Sequence, residues 1–262
     1  MNNAVDINTS SLLVDVGNTR IKVLSCQIQQ SDACFNKDAL WVTHESDFDR
    51  SVVKMFEQFS QPKDVLVSNV AGDQARHAIE NFCMDKWEVK PKFAHVERSK
   101  HGIQNSYVNL DELGVDRWMA IQGARQLFEG AIIVIGCGTA ITVDLLSGDD
   151  VFVGGAILPG LELTASSLSQ TDGIPQFDFQ EYNHVLGAST ADCVRVGVIN
   201  ACAGGIEKTV ASIIEQFSDI SIKILASGGA AKSILSATNL KFEYDANLVL
   251  RGLQRVTNKR LN

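Results

Sequence analysis

The chain has 262 residues, of which 45% are hydrophobic and 21% charged, with a net charge of −8 and a pI near 5.1. That length can bury a sizeable core and suits one large domain or two ordinary ones. The acidic balance offers no broad electrostatic pull toward nucleic acid or anionic lipid, so neither nucleic acid nor membrane is an expected partner.

The N-terminus, MNNAVDINTS, has no basic region ahead of an apolar one, which argues against a signal peptide. The longest uncharged stretch, Gly130 to Val143, is shorter than the ~20 residues that span a bilayer. The six cysteines, Cys26, Cys34, Cys83, Cys137, Cys193 and Cys202, show neither a CxxC pair nor zinc-ligand spacing. They read as reduced thiols packed as small hydrophobes, so a cytoplasmic location is expected.

In chain order, Leu12 to Val16 is a short apolar strand containing Asp15, followed by a Gly17-Asn18 turn and a second strand, Ile21 to Leu24. Val52 to Phe59 has helical character, Asp64 to Val70 reads as a strand, and Asp73 to Phe82 as an amphipathic helix. Pro91 to Val96 begins an extended piece. Asp116 to Phe128 carries apolar residues at helical spacing. Ala131 to Ile135 is a buried strand, Gly136-Cys137-Gly138 a turn, and Thr139 to Leu146 another strand. Residues 188–217 are mostly helical by composition. Ile222 to Ala226 is a strand, Ser227-Gly228-Gly229 a turn, and Ala230 to Leu235 the start of a helix. Alternating strands and helices predict an α/β protein. The change in pattern near residue 112 divides it into residues 1–112 and 113–262.

An internal echo links these halves. Val14-Asp15-Val16-Gly17-Asn18-Thr19 and Ile135-Gly136-Cys137-Gly138-Thr139 share one design: apolar strand, glycine turn, threonine, further strand. Such a hairpin can present consecutive backbone N–H groups and a hydroxyl to an anion. Two facing hairpins could clamp a polyphosphate, whereas a single glycine turn often only satisfies a positive φ.

Asp15, inside an apolar strand, is either an edge aspartate bonded to turn amides or a carboxylate holding Mg²⁺ beside phosphates. Lys22, on the following strand, meets a phosphate or is simply solvated. Asp116 stands before a helix, where it is an N-cap or, with Gly114, Val115 and Arg117, part of an anion-binding site with a positioned base. Asp144 shares a strand face with Thr142 and is either a second metal-proximal carboxylate or a structural acceptor. Gly154 to Gly160 is expected to be a loop that approaches something closely, and Ser227-Gly228-Gly229 to lie against a nucleotide base or ribose. There is no Walker GxxxxGK[ST] sequence, which excludes a P-loop ATPase, and no GxGxxG.

Four motifs in order, Asp15-Val16-Gly17-Asn18-Thr19, Gly114-Val115-Asp116-Arg117, Gly138-Thr139-Ala140-Ile141-Thr142 and Gly154-Gly155-Ala156-Ile157-Leu158-Pro159-Gly160, resemble type III pantothenate kinase. The resemblance runs from about residue 12 to residue 235. It implies two duplicated actin-like (ribonuclease H-like) α/β domains with an ATP cleft between them. It implies ATP-dependent phosphorylation of pantothenate to 4'-phosphopantothenate in coenzyme A synthesis, by a homodimer using ATP and Mg²⁺. Carried over by position, Asp15, Val16, Gly17, Asn18, Thr19, Arg20, Ile21 and Lys22 would form the first phosphate loop, and Thr139 the second loop's ATP contact. Asp116 would accept the proton of pantothenate's hydroxyl. Gly114, Val115, Arg117 and Tyr107 would line the substrate pocket, and Thr171 would reach it across the dimer interface. The family commonly has an Asp two residues before the second Gly-Thr, holding a monovalent cation, K⁺ or NH₄⁺. Gly136 stands there instead. Two other readings share the fold: a transcription accessory factor with vestigial catalysis, and a kinase acting on another small alcohol or acid.

Overall fold

A computed structural model describes residues 10–27, 34–35, 39–44, 47–169, 185–217 and 221–257. Contacts divide the chain into two units, Met1–Ile103 with Val108–Leu127 and Asn247–Asn262, and Gln104–Tyr107 with Phe128–Ala246.

In the first unit, β1 (Ser11–Val16) and β2 (Arg20–Cys26) form an antiparallel hairpin in which Asp15 faces Lys22 and Val16 faces Ile21. Strand β3 (Leu40–Thr43) pairs antiparallel with β2, and β4 (Asp64–Asn69) lies parallel to β1 on its other side. With β5 (Lys92–Phe93) the order is β3-β2-β1-β4-β5. Leu12, Val14, Val16, Ile21, Val23, Val65 and Val67 all turn to one face of this sheet, as the period of two requires. There they meet Val52, Met55 and Phe56 of α1 (Phe48–Phe56) and Ile79, Phe82 and Trp87 of α2 (Asp73–Trp87). Helix α1 starts earlier than its apolar pattern suggests because the Asp47 carboxylate accepts the Arg50 N–H and caps it.

The opposite face, carrying Leu13, Asp15, Lys22, Leu66 and Ser68, is where α3 (Val115–Leu127) and α7 (Leu248–Thr257) pack. These two helices cross on reciprocal glycines. A Cβ at Gly123 would strike the Leu248 carbonyl, and one at Gly252 would strike the Met119 carbonyl.

Two short strands, β6 (Ser99–Lys100) and β7 (Ile103–Asn105), follow β5 in the chain. The second sheet repeats the plan of the first. Strands β8 (Ala131–Cys137), β9 (Ala140–Leu146) and β10 (Val151–Pro159) form an antiparallel meander. Strand β11 (Ile222–Ser227) runs parallel to β8, and β12 (Glu243–Tyr244) parallel to β11. The order β12-β11-β8-β9-β10 is therefore that of β5-β4-β1-β2-β3. Ile133, Ile135, Ile141, Val143 and Leu145 pack on Val198, Cys202, Ile206 and Val210 of α5 (Thr190–Gln216), with Leu161 of α4 (Leu161–Ser169) and Ile234 of α6 (Ala231–Leu235).

Two expectations are corrected. Residues 154–159 lie in β10 rather than in a loop; Gly154, at φ +134°, sits at a register shift against β9, and Gly155 allows close approach, since a Cβ there would strike the Asp144 side chain. Gly228, at φ +100°, lies against the Cys137 backbone at the second hairpin, where a Cβ would strike the Cys137 carbonyl. The cysteines are not all reduced: Cys26 and Cys34 form a disulfide across a Cα–Cα distance of 5.4 Å, a pairing that an eight-residue separation does not announce in sequence. Cys83, Cys137 and Cys202 are buried free thiols, and burial pushes Cys83 and Cys137 up to about 12. Among the described residues, no helix is long and apolar enough to cross a membrane.

The α3–α7 crossing gives a direct test. Gly252→Val is expected to lower stability by about 2 kcal/mol in urea denaturation, because overpacking at a backbone contact outweighs the small gain in helix propensity.

Candidate functional site

The site in the first unit begins with how α3 starts. A short 3-10 turn, Leu110–Glu112, is capped by the Asn109 side chain, which accepts the Asp111 N–H. Leu113 then turns extended and buries its side chain, and Gly114 leads into the helix. The Asp116 Oδ1 accepts the Arg117 N–H at 2.8 Å. A Cβ at residue 114 would lie 2.5 Å from that same oxygen, so any larger residue there would displace the Asp116 carboxylate. Buried Arg117, Trp118, Met119 and Ile121 fix the helix and so fix Asp116 at its start.

Asp15 reaches the same neighbourhood from the sheet. In register it stands between Lys22 on β2 and Ser68 on β4. Its Oδ1 is buried without a hydrogen-bond partner, and so is the Ser68 Oγ. The hydroxyl is near enough to favour the carboxylate slightly, but the pair falls short of hydrogen-bond geometry. Burial pushes the Asp15 carboxyl from the ordinary 3.8 up to about 7. Lys22 pulls it down, the Asp116 carboxylate pushes it further up, and Ser68 pulls it down. Burial also raises Asp116, opposed by the Arg117 N–H and guanidinium. The structure thus brings Asp15, Lys22 and Asp116 together. Ser68, which sequence reasoning missed, sits with them; its only signal was its place at the end of an apolar parallel strand.

Two acids in electrical contact, one with an orphaned buried oxygen, fit a hard divalent cation that takes one or two carboxylates from protein and the rest from ligand and water. Among the described residues no group of three or more His, Cys, Asp or Glu side chains could hold a metal by itself.

The turn of the first hairpin is held by the Gly17 N–H donating to the Arg20 carbonyl at 3.0 Å. Val16 and Ile21 are fully buried in the core, so they offer a ligand backbone only. Gly17 and Thr19 are half-buried, while Asn18 and Arg20 are exposed, with the Arg20 guanidinium over the Trp41 ring. His44 was also missed: its N–H donates to the Thr19 carbonyl at 3.0 Å, and its Nε2 lies 2.8 Å from the Gly17 carbonyl.

In the second unit, Gly138 donates to the Ala140 carbonyl and Gly160 to that of Thr139, each at 3.1 Å. A Cβ at Gly160 would strike the Thr139 carbonyl, so the end of β10 presses on this turn. Gly136 pairs with Thr142 one step before the turn, the position that Asp15 and Lys22 hold in the first hairpin. A Cβ at Gly136 would lie 2.7 Å from the Thr142 Oγ1. Asp144 is buried between Val134 and Gly155 in the same unit. Tyr107 stacks on Phe152, with ring centroids 6.1 Å apart and planes 3° from parallel, and its N–H donates to Asn105. Thr171 lies outside the described residues.

The repeated strand order and the two glycine hairpins define a duplicated actin-like α/β protein. The same fold occurs in a Campylobacter jejuni protein assigned to the Baf family of transcriptional activators, at TM-score 0.56 and 20% identity over 95% of this chain and 98% of that one. It also occurs in a Listeria monocytogenes protein assigned as an N-acetylmannosamine kinase, at TM-score 0.53 and 12% identity over 97% and 100%. Residues 11–212 match the profile of the type III pantothenate kinase family. Type III pantothenate kinases of Nitrosococcus oceani and a Janthinobacterium species are 31% and 35% identical, each over 94% of this chain and over 92% and 96% of their own lengths. The chain belongs to the type III pantothenate kinase family.

The buried acid at position 15 sets a pH dependence. Its folded pKa lies above the unfolded value, so the fold binds the extra proton and stability falls as pH rises from about 4 to about 7. Asp15→Asn should flatten that slope and stabilise the ligand-free protein at pH 8 by an amount on the order of 2 kcal/mol, read by chemical denaturation at several pH values.

Proposed function

We propose that this chain transfers the γ-phosphoryl group of ATP to the primary hydroxyl of pantothenate, giving 4'-phosphopantothenate in coenzyme A synthesis. The observation that carries the proposal is the Asp116 carboxylate, placed at the start of α3 beside Asp15 with its proton affinity raised by burial. A base whose pKa approaches the working pH accepts a proton more effectively than an ordinary solvated aspartate.

Phosphoryl transfer depends on alignment and charge neutralisation more than on covalent help. Asp116 orients the hydroxyl and takes its proton as the bond to phosphorus forms. Gly114 leaves that carboxylate room, and Arg117 offsets its charge. The backbone of Asp15 to Lys22, with the Lys22 ammonium, receives the phosphates, and Thr139 supplies a further ATP contact. Mg²⁺ held at Asp15 would supply positive charge to the β- and γ-phosphates. Asp144, enclosed between neighbouring strands, is better placed as a structural acceptor than as a metal ligand.

Tyr107, Val115 and Thr171 are assigned to pantothenate by their place in the motifs, Thr171 from the second subunit of a homodimer. Exposed Ile157 on β10 and Leu163 on α4 support a self-association surface in the second unit. The cytoplasm, where ATP is available, is the proposed location.

A coupled assay with ATP, Mg²⁺ and pantothenate tests the activity. Asp116→Asn is expected to lower kcat by at least ~100-fold while ATP affinity changes little; turnover near wild type would remove Asp116 from the base role. Since Gly136 provides no carboxylate for a monovalent cation, replacing Na⁺ by K⁺ or NH₄⁺ is expected to leave the rate unchanged. Strong activation by either would show that another group holds the ion.

A further inference from the structure

We propose that His44 is a positioning residue for the nucleotide phosphates, acting through the first hairpin turn. This rests on the assignment of residues 15–22 as a phosphate loop.

His44 follows directly on β3, whose pairing with β2 ends at Arg20 and Thr43. From there one residue holds two carbonyls of the same turn: its main-chain N–H donates to Thr19 O at 3.0 Å, and its ring Nε2 reaches Gly17 O at 2.8 Å. A carbonyl only accepts, so Nε2 carries the proton in this contact. The Phe48 ring lies against the imidazole, with centroids 4.2 Å apart and planes at 35°, and limits the ring's rotation. Phe48 is itself packed on the core of the unit, at the start of a helix capped by Asp47. The imidazole is therefore supported from behind by packed structure.

The effect on the turn follows from peptide geometry. The Gly17 carbonyl and the Asn18 N–H belong to one planar trans peptide and point in opposite directions. Drawing Gly17 O toward His44 aims the Asn18 N–H away from β3. Asn18 is exposed at the tip of the turn, where an incoming phosphate would arrive. The Gly17 N–H is already committed to Arg20 O, so this turn's anion-binding capacity depends on how the peptides after Gly17 are oriented. Glycine at 17 makes that first peptide easy to rotate, and the imidazole supplies the restraint that the backbone lacks. Such preorganisation lowers the ordering cost of binding without touching the ligand.

The test compares His44→Ala and His44→Gln with the wild-type full chain. Affinity for a non-hydrolysable ATP analogue with Mg²⁺ is measured by calorimetry, thermal unfolding is followed in parallel, and KM values for ATP and pantothenate are determined. His44→Ala is expected to bind the analogue and ATP about three- to tenfold more weakly, the size of one hydrogen bond, while KM for pantothenate holds. Gln can donate an amide N–H to the same carbonyl, so His44→Gln should recover most of the loss at an unfolding temperature like that of wild type. Wild-type nucleotide affinity in His44→Ala would overturn the proposal. So would equal losses for both substrates without rescue by Gln, or a wild-type chain that does not bind the analogue. If the wild type binds nucleotide but does not phosphorylate pantothenate, the substrate assignment fails, and the calorimetric comparison still decides the role of His44.

Discussion

Two partly buried carboxylates near one another at one end of the first sheet constrain the residues around them. An acid in an apolar strand is costly to ionise, and a second acid nearby adds to that cost. Lys22, Ser68 and the first turn of α3 offset part of it, and one Asp15 oxygen is still without a partner. Burial and the neighbouring acid therefore both favour the protonated form of Asp15. The unsatisfied oxygen is local, at the rim of a sheet whose other face is packed with apolar side chains.

The sheet register makes that placement unavoidable. With Leu12, Val14 and Val16 committed to the α1–α2 core, Asp15 must face the α3–α7 side, and cross-strand pairing then brings Lys22 and Ser68 beside it. The same register in the second unit sets Gly136 against Thr142. One topology, used twice, sets an acid opposite a lysine in the first copy and a small residue against a hydroxyl in the second. Duplication of the scaffold did not bring duplication of the chemistry.

Glycine marks points of close approach within each unit. At 114 it leaves room for the Asp116 carboxylate, and at 160 it lets the end of β10 press on the second turn. At 123 and 252 it lets α3 and α7 approach backbone to backbone, which fixes the helix that bears Asp116. Each is a steric requirement at a defined contact.

Period-two and helical patterns gave most of the elements from sequence alone: the strands beginning at Leu12, Ile21, Ala131 and Ile222, the helix after Asp116, and the matched glycine hairpins. These signals are local, since they depend on which face of a short segment is apolar. The same logic failed for β3 and β12, whose short exposed runs leave no clear period, for α7, whose apolar face is interrupted by Gly252 and by the buried polar Arg251 and Gln254, and for residues 154–159, whose glycines imitate a loop. Asp15, Lys22 and Asp116 were visible as candidates because a charge in an apolar strand or a glycine before a helix stands out in one dimension. Their proximity was not visible, because residues 15 and 116 meet only when α3 folds back over β4. Ser68 and His44 needed the tertiary structure altogether: a serine in a strand and a histidine after one are unremarkable until the neighbouring strand and turn are in place.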